Sequence, residues 1–187
     1  MTSRHVFVCG DPALDFAATL RARRSSGTEV LTAPAQLESW YLASGLVDSI
    51  SPCTEADLER ARIVREAVYQ LVTDLRHGRP YGETALDVVN EAARRPAAQP
   101  QLAPPGRLTT ATPQEALSTV ARRAVELLGG PDARLLKECG NPECTRVYVD
   151  RSRGARRHWC GMESCGNRFK AAAYRARKRQ APALTVR

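Results

Sequence analysis

The sequence predicts an α+β chain. A mainly helical N-terminal domain with a few short strands spans residues 1–130, a small C-terminal unit spans 134–180, and 181–187 form a tail. Three observations predict this division. Apolar residues recur at three- and four-residue steps in several segments before residue 130. Gly129-Gly130-Pro131 ends the last of these segments and marks the best boundary in the chain. Beyond it, four of the six cysteines fall within residues 139–165.

Residues 5–9, His-Val-Phe-Val-Cys, are β-prone. Asp11-Pro12 opens a helix predicted over 13–23, and Ser25-Ser26-Gly27 breaks it. Pro34 suits a first helical position, and Leu37, Trp40, Tyr41 and Leu42 give the next helix an apolar cluster up to Gly45. The clearest helix spans 55–77. Thr54 caps it with Asp57 three residues on, and Leu58, Ala61, Val64, Val68, Leu71 and Leu75 form its apolar face. A further helix covers 83–94, using Leu86, Val89 and Ala93. The proline-rich stretch 96–106 reads as a loop, with a short strand following at 107–110. Thr112 and Glu115 then make a capping box for a helix to Leu128, buried through Leu117, Val120, Ala121, Ala124, Leu127 and Leu128.

Charge follows the same division. The 187 residues carry 28 Lys+Arg and 20 Asp+Glu, a net of +8. Residues 1–133 hold 14 basic and 16 acidic side chains, whereas 134–187 hold 14 and 4. A basic excess confined to one region points to a polyanionic partner. The longest uncharged stretch, 96–106, has 11 residues and is rich in proline, too short for a bilayer span of about 20. No apolar signal core is visible at the start, so a cytoplasmic, reducing setting is expected, where clustered cysteines serve as metal ligands more often than as disulfides. The first 130 residues show no phosphate loop, metalloprotease pair or nucleophile elbow, and no enzyme is predicted. His5, Asp11, Asp15 and Trp40 read as capping and core residues, and Cys9 and Cys53 as small buried side chains.

The cysteine pairs read Cys-Gly-Asn-Pro-Glu-Cys and, 15 residues later, Cys-Gly-Met-Glu-Ser-Cys. Two close pairs at that separation describe a structural zinc site with Cys139, Cys144, Cys160 and Cys165 as ligands. Four thiolates complete a tetrahedron around one Zn²⁺ and leave no position for a reactive water. Between the pairs, Arg146 to Asp150 alternates as a strand should. With Ser152-Arg153-Gly154 as a turn and Arg157-His158-Trp159 returning, it predicts a hairpin in a treble-clef-like finger.

On a helical wheel, residues 165–179 place Cys165, Phe169, Ala172, Ala173 and Ala176 on one inward face. Arg168, Arg175 and Arg179 flank it on one side and Lys170 and Arg177 on the other, with Lys178 opposite. Such a rod suits a DNA major groove, where Asn167 and Arg168 in the first turn can reach base edges. Arg151, Arg153, Arg156 and Arg157 add a second cluster, expected to touch phosphates.

These residues resemble a known family. The segment from Cys139 to Arg179 is similar to the CGNR zinc finger, through Cys165-Gly166-Asn167-Arg168, Tyr148-Val149-Asp150-Arg151-Ser152 and Trp159-Cys160. The preceding region resembles the ABATE domain through Leu14-Asp15-Phe16 and the stretch from Leu37 to Leu46, with Trp40 and Gly45. Ala18-Thr19 stands where that family usually has Asn-Thr. The resemblance implies a bacterial, stress-linked transcription regulator that binds specific DNA sequences.

The combined reading is a zinc-dependent DNA-binding regulator. Its finger docks on duplex DNA, and its N-terminal domain senses a small-molecule effector or mediates association. One small finger buries only about 600–1,000 Å² on DNA, so a homodimer or partner protein is expected to add a second contact. The alternatives are an RNA- or ribosome-associated zinc protein and a zinc-stabilised protein-interaction module.

Overall fold

The computed structural model describes residues 5–25, 27–104 and 106–180. Helix α1, Pro12–Ala17, is capped by Asp11, whose carboxylate accepts from Ala13 N at 2.9 Å. It is shorter than its composition predicts. The Thr19 hydroxyl and backbone N–H both turn back onto Phe16 O, at 2.7 and 3.0 Å, and close the helix. The freed chain pairs as β1, Leu20–Arg21, with β2, Thr28–Glu29. The predicted helix break at 25–27 is therefore part of a hairpin loop.

Helix α2, Pro34–Ala43, buries Leu37, Trp40 and Tyr41, and strand β3, Ser49–Ile50, follows. The long helix α3, Glu55–Arg76, begins with both arms of the Thr54–Asp57 capping box. Its buried face contains the expected stripe apart from Leu75, which is half-buried, and adds Arg65, Ala67, Val72 and Asp74. Helix α4, Glu83–Arg94, has the predicted bounds. The proline-rich stretch that follows contains β4, Gln101–Ala103, paired antiparallel with β5, Gly106–Leu108. Strand β6, Thr110–Ala111, lies parallel to β3 and leads into α5, Pro113–Gly129. Its Thr112–Glu115 box is formed in both directions. Helices α3, α4 and α5 pack on one another, with α1 wedged against α3 and α5. Phe16, Leu37, Trp40, Val68, Val120 and Ala121 sit fully buried at their meeting point. No described helix is long and apolar enough to cross a membrane.

A 3₁₀ turn, Pro131–Leu135, leads to β7, Leu136–Glu138, which pairs antiparallel with β8, Val147–Val149. This corrects the predicted hairpin. β8 returns against the strand before the first cysteine pair, so the segment from Cys139 to Cys144 is itself the hairpin's end. Residues 150–158 form a loop instead of a partner strand. A single π turn, Met162–Gly166, carries Cys165 and runs into α6, Asn167–Gln180.

The C-terminal unit shares the core of the helices. Val147, Tyr148 and Val149 are all buried and belong to the same apolar cluster as Trp40 and Val68. Val149 N donates to Cys9 O at 2.8 Å, Arg157 to Val8 O at 2.6 Å, and Arg151 to Gly10 O at 2.8 Å. The β-prone segment at 5–9 forms no strand pair of its own, and it is held from both sides. Asp15 Oδ1 accepts from Val8 N and Cys9 N, each at 2.9 Å. Burial raises the Asp15 pKa, the expected direction for a carboxylate drawn from water.

Asp15→Ala leaves two inward N–H groups without an acceptor and is expected to lower stability by about 2 kcal/mol or more. Asp15→Asn keeps a carbonyl oxygen there and should lose less. Urea unfolding of the two variants, followed by Trp fluorescence, checks the order.

Candidate metal centre and basic helix

The sulfurs of Cys139, Cys144, Cys160 and Cys165 all lie within 4.8 Å of one another. Cys144 and Cys160 are 3.8 Å apart, and Cys160 and Cys165 are 3.7 Å apart. A tetrahedron with Zn–S bonds of about 2.3 Å has edges of about 3.8 Å. The four residues therefore fit one structural Zn²⁺, and their thiolate donor set suits that ion.

Each sulfur is placed by local geometry. Cys139 follows β7 directly, and its N–H donates to Arg146 O at 3.0 Å. Asn141 Oδ1 then accepts from Glu143 N at 3.1 Å, and Cys144 N closes the turn on Asn141 O at 2.8 Å. Gly140 approaches the opposite loop so closely that a Cβ would stand 3.1 Å from His158 O and 3.4 Å from the Trp159 ring. Gly166 is tighter still, since a Cβ there would meet Met162 Sδ at 2.7 Å.

Three groups outside the four ligands complete the centre. Asn141 Nδ2 points at Cys165 Sγ at 3.7 Å, and Arg146 Nη1 at Cys160 Sγ at 3.9 Å. Asp150 has a fully buried side chain. Its Oδ1 accepts from the Ser152 backbone and hydroxyl, and its Oδ2 from Lys137 Nζ at 2.8 Å and Arg157 N at 3.2 Å. The Lys137 ammonium and the Ser152 hydroxyl hold its carboxyl far below the ordinary range. Tyr148 donates to Arg157 O at 2.6 Å while the Arg157 guanidinium lies over its ring at 4.3 Å. Sequence reasoning flagged Asp150 only as part of a motif and missed Arg146. Nothing in the residue pattern distinguishes Arg146 from the other arginines nearby.

Without metal, the cluster holds its charge unevenly. The Cys144 thiol donating to Cys160, helped by Arg146, brings Cys160 down to about 4. Burial pushes Cys139 up to about 11, and the shared proton pushes Cys144 well above the usual thiol range.

The predicted nucleic-acid residues divide in two. Arg151 and Arg157 are committed within the chain. Arg151 donates to Gly10 O and pairs with Asp132 at 2.6 Å, while Arg157 donates to Val8 O, to Trp159 O at 2.8 Å and to Cys160 O. Their geometry braces the finger against residues 8–10. Arg153, Arg156, Asn167, Arg168, Lys170, Arg175 and Lys178 are exposed. Among the described residues, none of these cations has an ion-pair partner. The side chains of Arg177 and Arg179, and of Ala172, Ala173 and Ala176 on the expected inward face, lie outside the described residues, as does the tail at 181–187. Phe169 departs from the wheel reading. It is 54% exposed and leans on Trp159 with ring centroids 4.6 Å apart. His158 stays at the surface, as expected. Cys9 is fully buried, whereas Cys53 is only half-buried.

Two family descriptions match the chain. "Putative stress-induced transcription regulator" (ABATE) matches residues 10–131, and the CGNR zinc finger matches 135–178. No curated protein matches it.

Zinc uptake by the metal-free chain at neutral pH is expected to release protons, because Cys139 and Cys144 are both held in the thiol form there. Apparent zinc affinity therefore falls as pH is lowered. Competition with a chromogenic chelator across about pH 6 to 8 measures this slope, and Cys160→Ser should abolish stoichiometric uptake.

Proposed function

The chain belongs to the ABATE family and carries a CGNR zinc finger behind that domain, and from this premise we propose that it is a zinc-dependent, DNA-binding transcription regulator. The observation that carries the reading is the distribution of free cations. In the helical part, most arginines are paired: Arg65 with Glu29, Arg79 with Asp74, Arg123 with Asp11. On the finger loop and α6, the exposed Arg153, Arg156, Arg168, Lys170, Arg175 and Lys178 are without carboxylate partners among the described residues. Unpaired cations along a helix that projects from a rigid base suit a phosphate-lined groove. The zinc serves as scaffold: four thiolates hold the π turn from which α6 emerges, and no position is left for substrate. The two families are regulator and zinc-finger types, and the proposed role includes no catalytic step. The helical domain would sense a ligand or bring two chains together, giving the finger the second contact that one small module needs.

A second reading has its own observation. Phe169, Tyr174 and Met162 are about half exposed or more, on the same unit as the free cations. Aromatic faces beside arginines suit unstacked bases, so RNA or single-stranded DNA is the rival partner.

Six phosphate contacts would give a log–log salt slope of about −5 for duplex DNA. Arg168→Ala with Lys170→Ala should flatten it by about 2 and leave zinc content unchanged. Fluorescence anisotropy across a salt series reads both numbers, and a salt-independent affinity would overturn the DNA reading. Competition between duplex DNA and structured RNA separates the two partners. Loss of affinity in Phe169→Ala for the RNA alone would favour the second reading.

A further inference from the structure

A cleft of about 670 Å³ separates the β1–β2 hairpin from the finger. Its volume lies within the usual range for small-molecule sites, about 300–1,000 Å³. Arg21, Ala22 and Thr28 form the hairpin wall, and Thr145, Arg146 and Arg168 belong to the finger side. Arg23 N donates to Thr145 Oγ1 at 3.3 Å and stitches the two walls together.

The electrostatics of this cleft are unusual for the molecule. Arg21 and Arg146 both have a buried Nε with no hydrogen-bond partner among the described residues. Neither arginine has an ion-pair partner among the described residues, in contrast to Arg23 and Arg65 close by in the chain. Burial lowers the basicity of Arg21, and the charge of Arg146 lowers it further. Both arginines line the cleft, and Arg146 also reaches toward Cys160, which keeps it firmly charged. Among the described residues, Arg146 has one soft acceptor, Cys160 Sγ, and the Arg21 side chain has none. Buried guanidinium donors left unmet cost free energy that a bound anion would offset. The backbone beside Arg21 is also held away from its relaxed form. Ala22 sits at φ 50°, in the left-handed region, and its carbonyl accepts from Ser25 N and Gly27 N. Glu143 and Glu163 are exposed and also line the cleft, so an anion is held there by the arginine forks and not by net charge.

We propose that this cleft binds a small anion, through a carboxylate or phosphate group seated between Arg21 and Arg146. The ligand spans both matched families, since Arg21 lies in one and Arg146 in the other. Arg168, at the first turn of α6, lines the same cleft, so occupancy alters the charge presented to nucleic acid. That last consequence rests on the reading above; occupancy itself does not, and it is measured without DNA.

The test uses the zinc-loaded full chain, with inorganic phosphate and succinate as separate probes at constant ionic strength, followed by calorimetric titration and thermal shift. Saturable binding of at least one probe is expected, with a raised Tm. Arg21→Gln should weaken it by about tenfold or more, the loss of a charge-assisted fork. Arg21→Lys, which keeps the charge and loses the fork, should fall between the two. Arg60→Gln, on the exposed side of α3, should bind like the wild type. Zinc content and far-UV circular dichroism establish that each variant is folded, and Arg21→Lys serves if Arg21→Gln is not. Absence of saturable binding by both probes overturns the proposal. So does a folded Arg21 variant that binds as tightly as the wild type.

Discussion

Four sulfurs within 4.8 Å of one another cannot all carry charge unless a cation stands among them. That constraint organises everything beyond residue 135. The unit has few apolar side chains of its own, and Val147, Tyr148 and Val149 are the only three that form a buried strand there. Structural zinc contributes about 10–16 kcal/mol in small domains, far more than three such side chains supply. Asn141 and Arg146 aim N–H groups at the sulfurs and spread the negative charge of the cage into the protein. Asp150 does the complementary work on the loop side, where four donors converge on one carboxylate.

The finger is also bonded to the helices through their least regular part. Residues 8–10 have no secondary structure to satisfy their backbone groups. Asp15 takes two N–H groups from below, while Val149, Arg151 and Arg157 supply donors to the three carbonyls from above. Arg76 and Arg24 meet on Glu138 and add a second tie at β7. A sequence boundary at Gly129-Gly130-Pro131 is thus compatible with continuous packing across it.

The helices were legible because their signals are local. Thr54 with Asp57, and Thr112 with Glu115, announce starts that the structure keeps, and the apolar spacing on α3 and α5 marks the faces that are buried. The ligands were legible because cysteine spacing states the chemistry directly. The errors share one cause: they concern residues whose role is set by distant partners. Thr19 ends α1 by its own hydroxyl, yet the β1–β2 pairing that follows depends on Arg65 reaching Glu29 from α3. β8 could have paired with either neighbour, and alternation alone does not choose between them. Arg151 and Arg156 are alike in sequence; Asp132 and the Gly10 carbonyl, more than a hundred residues away in the latter case, separate their roles. Phe169 meets only the edge of the finger at Trp159 and stays half exposed, because the wheel cannot say how deep a partner surface is.

Val8 and Arg157 are hydrogen-bonded across 149 positions. During synthesis, residues 8–10 leave the ribosome long before the groups that satisfy their carbonyls exist. The helices can assemble early, but their first segment has to wait, solvated, until the last third has been translated and has captured its ion. Closure of residues 8–10 therefore waits on metal capture by a segment 149 positions away.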